Sequence, residues 1–218
     1  TDQLVALSTQ NIAVLSTAAI VALGTAAVAS LTTDQITALG TKQVAAMETR
    51  DVAVLSTDAI AALGTHQIRA LTTAQTAALN TADIVALGTT GIGALSTAAI
   101  ASLNTQSVSV LGTQQIAALT TAQASALKTS QVSALTSHQI AALETEDLNA
   151  LSTAAIVALS SSAVSALTTD QVSALATRQL MALETRDLPA LTTDAIAVLT
   201  SSQLGALGSA QVRALVTD

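Results

Sequence analysis

"TTDQITALGTKQVAAM", Thr32 to Met47, is one eight-residue word written twice with small changes. Counted from Thr1, the 218 residues form 27 complete octads followed by Thr217 and Asp218. Position 1 of the octad is Thr 23 times and Ser four times, at Ser137, Ser161, Ser201 and Ser209. Position 4 is Ile, Val or Leu except at Thr76 and Ala124, and position 7 is Leu except at Met47. Position 6 is Ala in most octads, and the consensus is T-x-Q-[IV]-x-A-L-[GST].

The period excludes one continuous helix. Eight residues at roughly 100° each turn the apolar stripe by about 80° per repeat, so it would wind around the rod and meet no flat partner. A β-solenoid of three octads per coil is the rival. In a strand, however, positions 4 and 7 differ in parity and face opposite sides, which would turn every Leu or every Ile to water. A separation of three residues is what a helical face requires, and Ala and Gln favour helices. The expected fold is therefore all-α: a solenoid or superhelix of very short helices of about six residues, one per octad.

The punctuation fits short helices. Thr or Ser at position 1 is expected to be the N-cap, whose hydroxyl accepts a backbone N–H two or three residues on. Position 8 is Gly at Gly24, Gly40, Gly64, Gly88, Gly112 and Gly208, and Asn at Asn80 and Asn104. Those residues suit a left-handed turn past a helix end. A second register competes: in "LTTDQI", Thr32 with Gln35 matches a capping box, with a staple between Leu31 and Ile36. Position 8 also admits Glu48, Lys128, Ala176 and Val216, so position 1 is the expected cap. Pro189, the only proline, falls at position 5. It should forfeit one backbone bond early in its helix.

All 21 charged residues stand at positions 2, 3, 5 or 8. Positions 4, 6 and 7 are therefore the expected buried set, and 2, 3, 5 and 8 the wet set. The small residues at position 6 point to close backbone approach there. On this assignment Leu111→Asp would place an unpaired charge in the core, whereas a change at Gln115 should matter much less. Burying Leu and Ile gives each octad about 3–6 kcal/mol, against about 1–2 kcal/mol per residue to fix its backbone. No octad stands alone, so neighbours must stack into a quasi-one-dimensional array. The expected organisation is a single uninterrupted array over 1–218 with no capping repeats, either part of a longer chain or a filament unit.

A longer word also recurs: "KQVAAMETRDVAVLSTDAI" from Lys42, "HQIAALETEDLNALSTAAI" from His138 and "RQLMALETRDLPALTTDAI" from Arg178. The copies are offset by 96 and 40 residues, twelve and five octads, so only the octad divides both. No three-octad or four-octad coil is enforced by that pattern.

Composition narrows the function. Half the residues are apolar, none is aromatic and none is cysteine. The chain thus has no large ring to anchor a recognition hot spot, no disulfide, no thiolate zinc site and no thiol nucleophile. A formal charge of −7 with seven scattered basic residues argues against nucleic acid, whose phosphates need clustered Lys and Arg. Residues 84–127 carry no charge, nor do residues 3–33, but Thr, Ser, Gln and Asn interrupt both stretches at every octad. No apolar run approaches the roughly 20 residues of a membrane span. The chain begins without Met or a signal-like segment, which is expected of an excerpt or a processed product.

Candidate sites are few. His66 and His138 are the only general-base candidates, both at position 2 and 72 residues apart. Glu144, Glu146 and Asp147 are the densest acidic group and have the oxygens that Ca²⁺ takes, but Arg50 and Arg186 replace Glu146 in the equivalent words. No phosphate-binding or dinucleotide glycine motif and no H-E-x-x-H is present. The expected site residues are accordingly none: no catalytic residue, no metal, no cofactor and no small-molecule substrate. The 27 hydroxyls at position 1 are the one regular array.

The words "TTAQ", "QIAAL" and "LSTDAIAAL" resemble octapeptide tracts of very large secreted or surface proteins of proteobacteria, of adhesin-like or haem-utilisation-like kind. The resemblance covers the whole chain. It implies an extracellular or cell-surface spacer, stalk or fibre that associates with itself end to end or laterally, and it brings no functional residues with it. The expected function is a non-catalytic structural repeat of that kind. The alternative is an ice- or surface-binding protein that presents regular rows of Thr.

Overall fold

A computed structural model describes residues 2–216; Thr1, Thr217 and Asp218, which open and close the octad count, lie outside the described residues. The chain divides into two compact units, Thr1–Val110 and Leu111–Asp218. Octads, numbered 1 to 27 from Thr1, build both units on one plan.

Among the described residues there are 26 α-helices, one 3-10 helix and no strand, one helical element to each octad. Most helices run five or six residues, such as Thr33–Ala38 and Thr73–Ala78 in the first unit and Thr121–Ser125 in the second. A helix this short is marginal in water, and its stability comes from packing. Within each unit, elements lie against the element three octads away. In the first unit Thr9–Ala13 packs on Thr33–Ala38, and Thr73–Ala78 on Thr97–Ser102. In the second, Thr121–Ser125 packs on Thr145–Ala150, and Thr153–Val157 on Thr177–Ala182.

The core is made of the position 4 and position 7 side chains. Ile36, Ile60 and Ile84 of the first unit and Ile116, Ile140 and Leu180 of the second are completely buried, with Leu at position 7 close behind. Leu111 belongs to this set, as expected. Thr76 and Ala124, the two exceptions at position 4, are equally buried, and the Thr76 hydroxyl donates to its own helix at the Thr72 carbonyl, 3.1 Å away.

Two expectations about the pattern are overturned. Position 3 is buried in most octads, not wet: Gln35, Gln75, Gln139 and Gln171 are at most 3% exposed, and Gln115 is buried as well, while Gln3 and Asn11 near the start of the chain are exposed. Position 6 is half-buried or exposed, with Val14 81% exposed, and Ala94 is its one buried member among the described residues. A three-residue step from position 4 to position 7 centres the apolar face so that position 3, next to position 4, turns inward while position 6 slides to its rim.

The cap register is also corrected. Helices begin at position 1, Gly88–Ala94 excepted, so the N-cap is position 8 of the preceding octad, with extended backbone in most. Gly40, Gly64 and Gly112 are such N-caps with φ between −73° and −68°, and Asn80 and Asn104 cap through their side chains. Only Gly24 and Gly88 adopt positive φ among the described residues. Pro189 does more than remove one bond. Octad 24 holds a turn followed by the 3-10 helix Leu188–Ala190 in place of an α-helix, because a prolyl nitrogen cannot close the bond from position 5 to the carbonyl of position 1.

Candidate functional site

The recurrent polar feature is the joint between octads, and it is built by glutamine. Gln at position 3 is the third residue of its helix, close enough for its side chain to turn back to the cap. Its Oε1 accepts the backbone N–H of the N-cap, as from Thr72 to Gln75 at 2.7 Å and from Thr136 to Gln139 at 2.8 Å. Where the cap is Thr, its hydroxyl accepts the glutamine's own N–H in return, completing a capping box.

The other end of the amide reaches out of the helix. Gln75 Nε2 donates to the carbonyls of Val44, at 2.9 Å, and Met47, at 2.8 Å. Gln43 makes the same pair with Ile12 and Leu15, and Gln67 with Ile36 and Leu39. In the second unit Gln171 binds Ile140 and Leu143, and Gln203 binds Val172 and Leu175. The acceptors stand 31 and 28 residues earlier, positions 4 and 7 of the octad four back. Those carbonyls close helix ends and would otherwise lack full partners in a dry interior. One amide thus satisfies a helix start and a helix end together. Octads pack at a distance of three and bond at a distance of four, so within each unit one turn takes more than three octads.

Sequence reasoning missed these glutamines by placing position 3 in water. A signal was present in the pairing of positions 8 and 3. Five of the six serines at position 8 precede Ala at position 3, and none precedes Gln. There the serine hydroxyl alone accepts the N–H of the third helical residue, as from Ala59 to Ser56 at 3.1 Å. Exposed residues would have no reason to choose each other in this way.

Four octads carry Asp in the glutamine's place: Asp51, Asp83, Asp147 and Asp187, all at most 3% exposed. A carboxylate is one methylene shorter and has no N–H to give. The chain compensates differently at each. Asp187 accepts the Ser161 hydroxyl and lies 3.5 Å from Arg186 Nε, which also holds Glu184 at 2.6 Å. Asp51 lies 4.0 Å from Arg50, which pairs with Glu48. Burial raises the Asp51 carboxyl above its usual range, with Arg50 opposing. Burial also raises Asp147, with the Thr121 hydroxyl opposing and Glu144 and Glu146 adding to the rise. Asp83 is raised by burial as well, opposed by the backbone N–H of Asn80.

The remaining candidates do not converge. His66 and His138 are exposed and belong to different units. In the acidic group, Asp147 points into the interior while Glu144 and Glu146 are exposed, and Glu146 accepts the Thr145 hydroxyl at 2.9 Å. Among the described residues no three His, Cys, Asp or Glu side chains are grouped to hold a metal ion, and no helix is long and apolar enough to cross a membrane. The position 1 hydroxyls, freed from capping, are largely exposed, as at Thr33, Thr73, Thr97, Thr129 and Thr153.

The joint is also what identifies the family. The ALTTAQ repeat matches the chain in seven overlapping stretches, residues 1–33, 18–49, 44–81, 76–113, 108–145, 140–177 and 180–217. The chain belongs to the ALTTAQ repeat family. The family's word stands unaltered at Ala70–Gln75 and Ala118–Gln123. It spans the end of one octad, the capping Thr, the first two helical residues and the bonding glutamine. Each matched stretch is 32 to 38 residues long, enough to contain a glutamine and both of its acceptors. No curated protein matches the chain.

Proposed function

We propose that this ALTTAQ repeat chain is a non-catalytic structural module of an extracellular or cell-surface fibre, filament or stalk, self-associating and binding neither nucleic acid nor a small substrate. One observation carries the reading: the residues that recur, Gln at position 3, the apolar side chains at 4 and 7 and the cap at 8, hold octads to one another. The exposed positions 2 and 5 vary without assembling a site. Negative-stain images of the purified chain test it. Long uniform fibres are expected, and particles of single-chain size at every concentration would remove self-assembly.

A second reading is favoured by the exposed position 1 hydroxyls. Because position 8 supplies the caps, the Thr methyl and hydroxyl groups are available to a periodic surface such as ice. Thermal hysteresis at millimolar protein is the expected sign, and its absence would eliminate ice as the partner.

A further inference from the structure

Asp83 is completely buried in the first unit, yet its carboxyl is only half engaged. Oδ2 accepts the backbone N–H of Asn80 at 3.1 Å, the bond that Oε1 makes in the glutamine octads. Oδ1 is buried and has no hydrogen-bond partner. The offsets of 31 and 28 residues that join Gln75 to Val44 and Met47, and Gln67 to Ile36 and Leu39, lead from residue 83 to the carbonyls of Val52 and Leu55. An ionised carboxylate there would turn an acceptor toward two acceptors. A neutral carboxyl instead offers one acceptor and one donor, the same pair as a primary amide.

We infer that the folded first unit holds a proton on Asp83, which donates it to octad 7 at the Val52 or Leu55 carbonyl and so stands in for the glutamine amide. Asp83 differs from the other three buried aspartates. Asp51 and Asp187 have Arg50 and Arg186 nearby, and Asp147 has the Thr121 hydroxyl. The charged groups on the surrounding elements do not replace those partners. Thr57–Ala62, which packs on Thr81–Ala86, carries exposed Asp58; Thr105–Ser109 and Gly88–Ala94 carry no charge. In octad 7, Arg50 pairs with Glu48 and Asp51, and none of these groups forms an ion pair with Asp83. The burial that raises Asp83 acts in the same direction. The folded unit then binds a proton that the unfolded chain releases near pH 4. Its stability is therefore lowest above the folded pKa, recovers as pH falls through that value, and has recovered in full below about pH 4.

The test compares the whole chain with Asp83→Gln and Asp83→Asn by urea unfolding between pH 4 and 8. Asp83→Gln is expected to be the more stable at pH 8, with its advantage shrinking on acidification by up to about tenfold in the folding equilibrium per pH unit. A pH-independent gap between the two chains would overturn the inference. Stabilisation of the wild type by millimolar Na⁺ or Ca²⁺ that is lost in Asp83→Asn would also overturn it, in favour of a bound cation. Should neither variant fold, the ¹³C titration of the wild-type side-chain carboxyls decides: a midpoint for Asp83 above the ordinary value near 4 is expected, and one at or below it refutes the proton.

Discussion

Gln75 shows how much one side chain does in this protein. It caps its own helix at Thr72 and closes the carbonyls of Val44 and Met47, four octads back. Gln75→Ala strands buried polar groups at both ends of the amide, and should cost about 1–3 kcal/mol in urea unfolding. Gln75→Glu should cost more, since a carboxylate would face those carbonyls without a donor. The residue scale is also where reading the sequence fell furthest short. Leu, Ile and Val at positions 4 and 7 were legible as core because apolar spacing reports burial directly. Gln115 and Asp83 were not, because a polar letter implies solvent unless its partners are known, and here the partners are backbone carbonyls that carry no letter. Only the avoidance of Gln after a position 8 Ser betrays the bond.

At the scale of the element, "LTTDQI" offered two adjacent hydroxyls as caps, and the helix starts one residue earlier than the uniformity of position 1 implied. A uniform letter can mark a first helical residue as readily as a cap. The pair Thr72 and Thr73 tests this cleanly. Thr72→Ala should cost about 1 kcal/mol, because its hydroxyl accepts the Gln75 N–H. Thr73→Ala should stay within about 0.5 kcal/mol, and equal losses in thermal unfolding would contradict the register. Glycine gives a second pair. A Cβ at Gly91 would lie 2.9 Å from Leu87 Cβ and 3.2 Å from Ile68 Cδ1. Gly91→Ala should therefore destabilise the first unit by about 1–3 kcal/mol. At Gly205, inside the helix Ser201–Ala206, nothing lies within 4 Å of the added atom. Gly205→Ala should stabilise the second unit by about 0.5–1 kcal/mol, and a loss of stability in thermal unfolding would contradict the open space beside it.

At the scale of the whole chain, the all-helical repeat was legible because the octad leaves neither a continuous helix nor a strand a consistent apolar face. The turn was not legible, because packing at three octads and bonding at four leave no longer word in the sequence. Both contacts count octads, so removing Thr129–Thr136, one complete octad of the second unit, should return every later glutamine to an equivalent pair of carbonyls. The helical signal of its far-UV spectrum should survive. Removing four residues instead would carry each later glutamine to the wrong face, and the helical signal should fall. If both deletions behaved alike, the bonding scheme would not govern the fold.

That packing and bonding both count whole octads bears on how such a gene can change. Here, slippage during replication by any multiple of eight codons yields a chain whose joints still close. The repeated words at Lys42, His138 and Arg178, separated by twelve and then five octads, have the spacing expected of a locus whose length drifts freely while its reading of the octad stays in step.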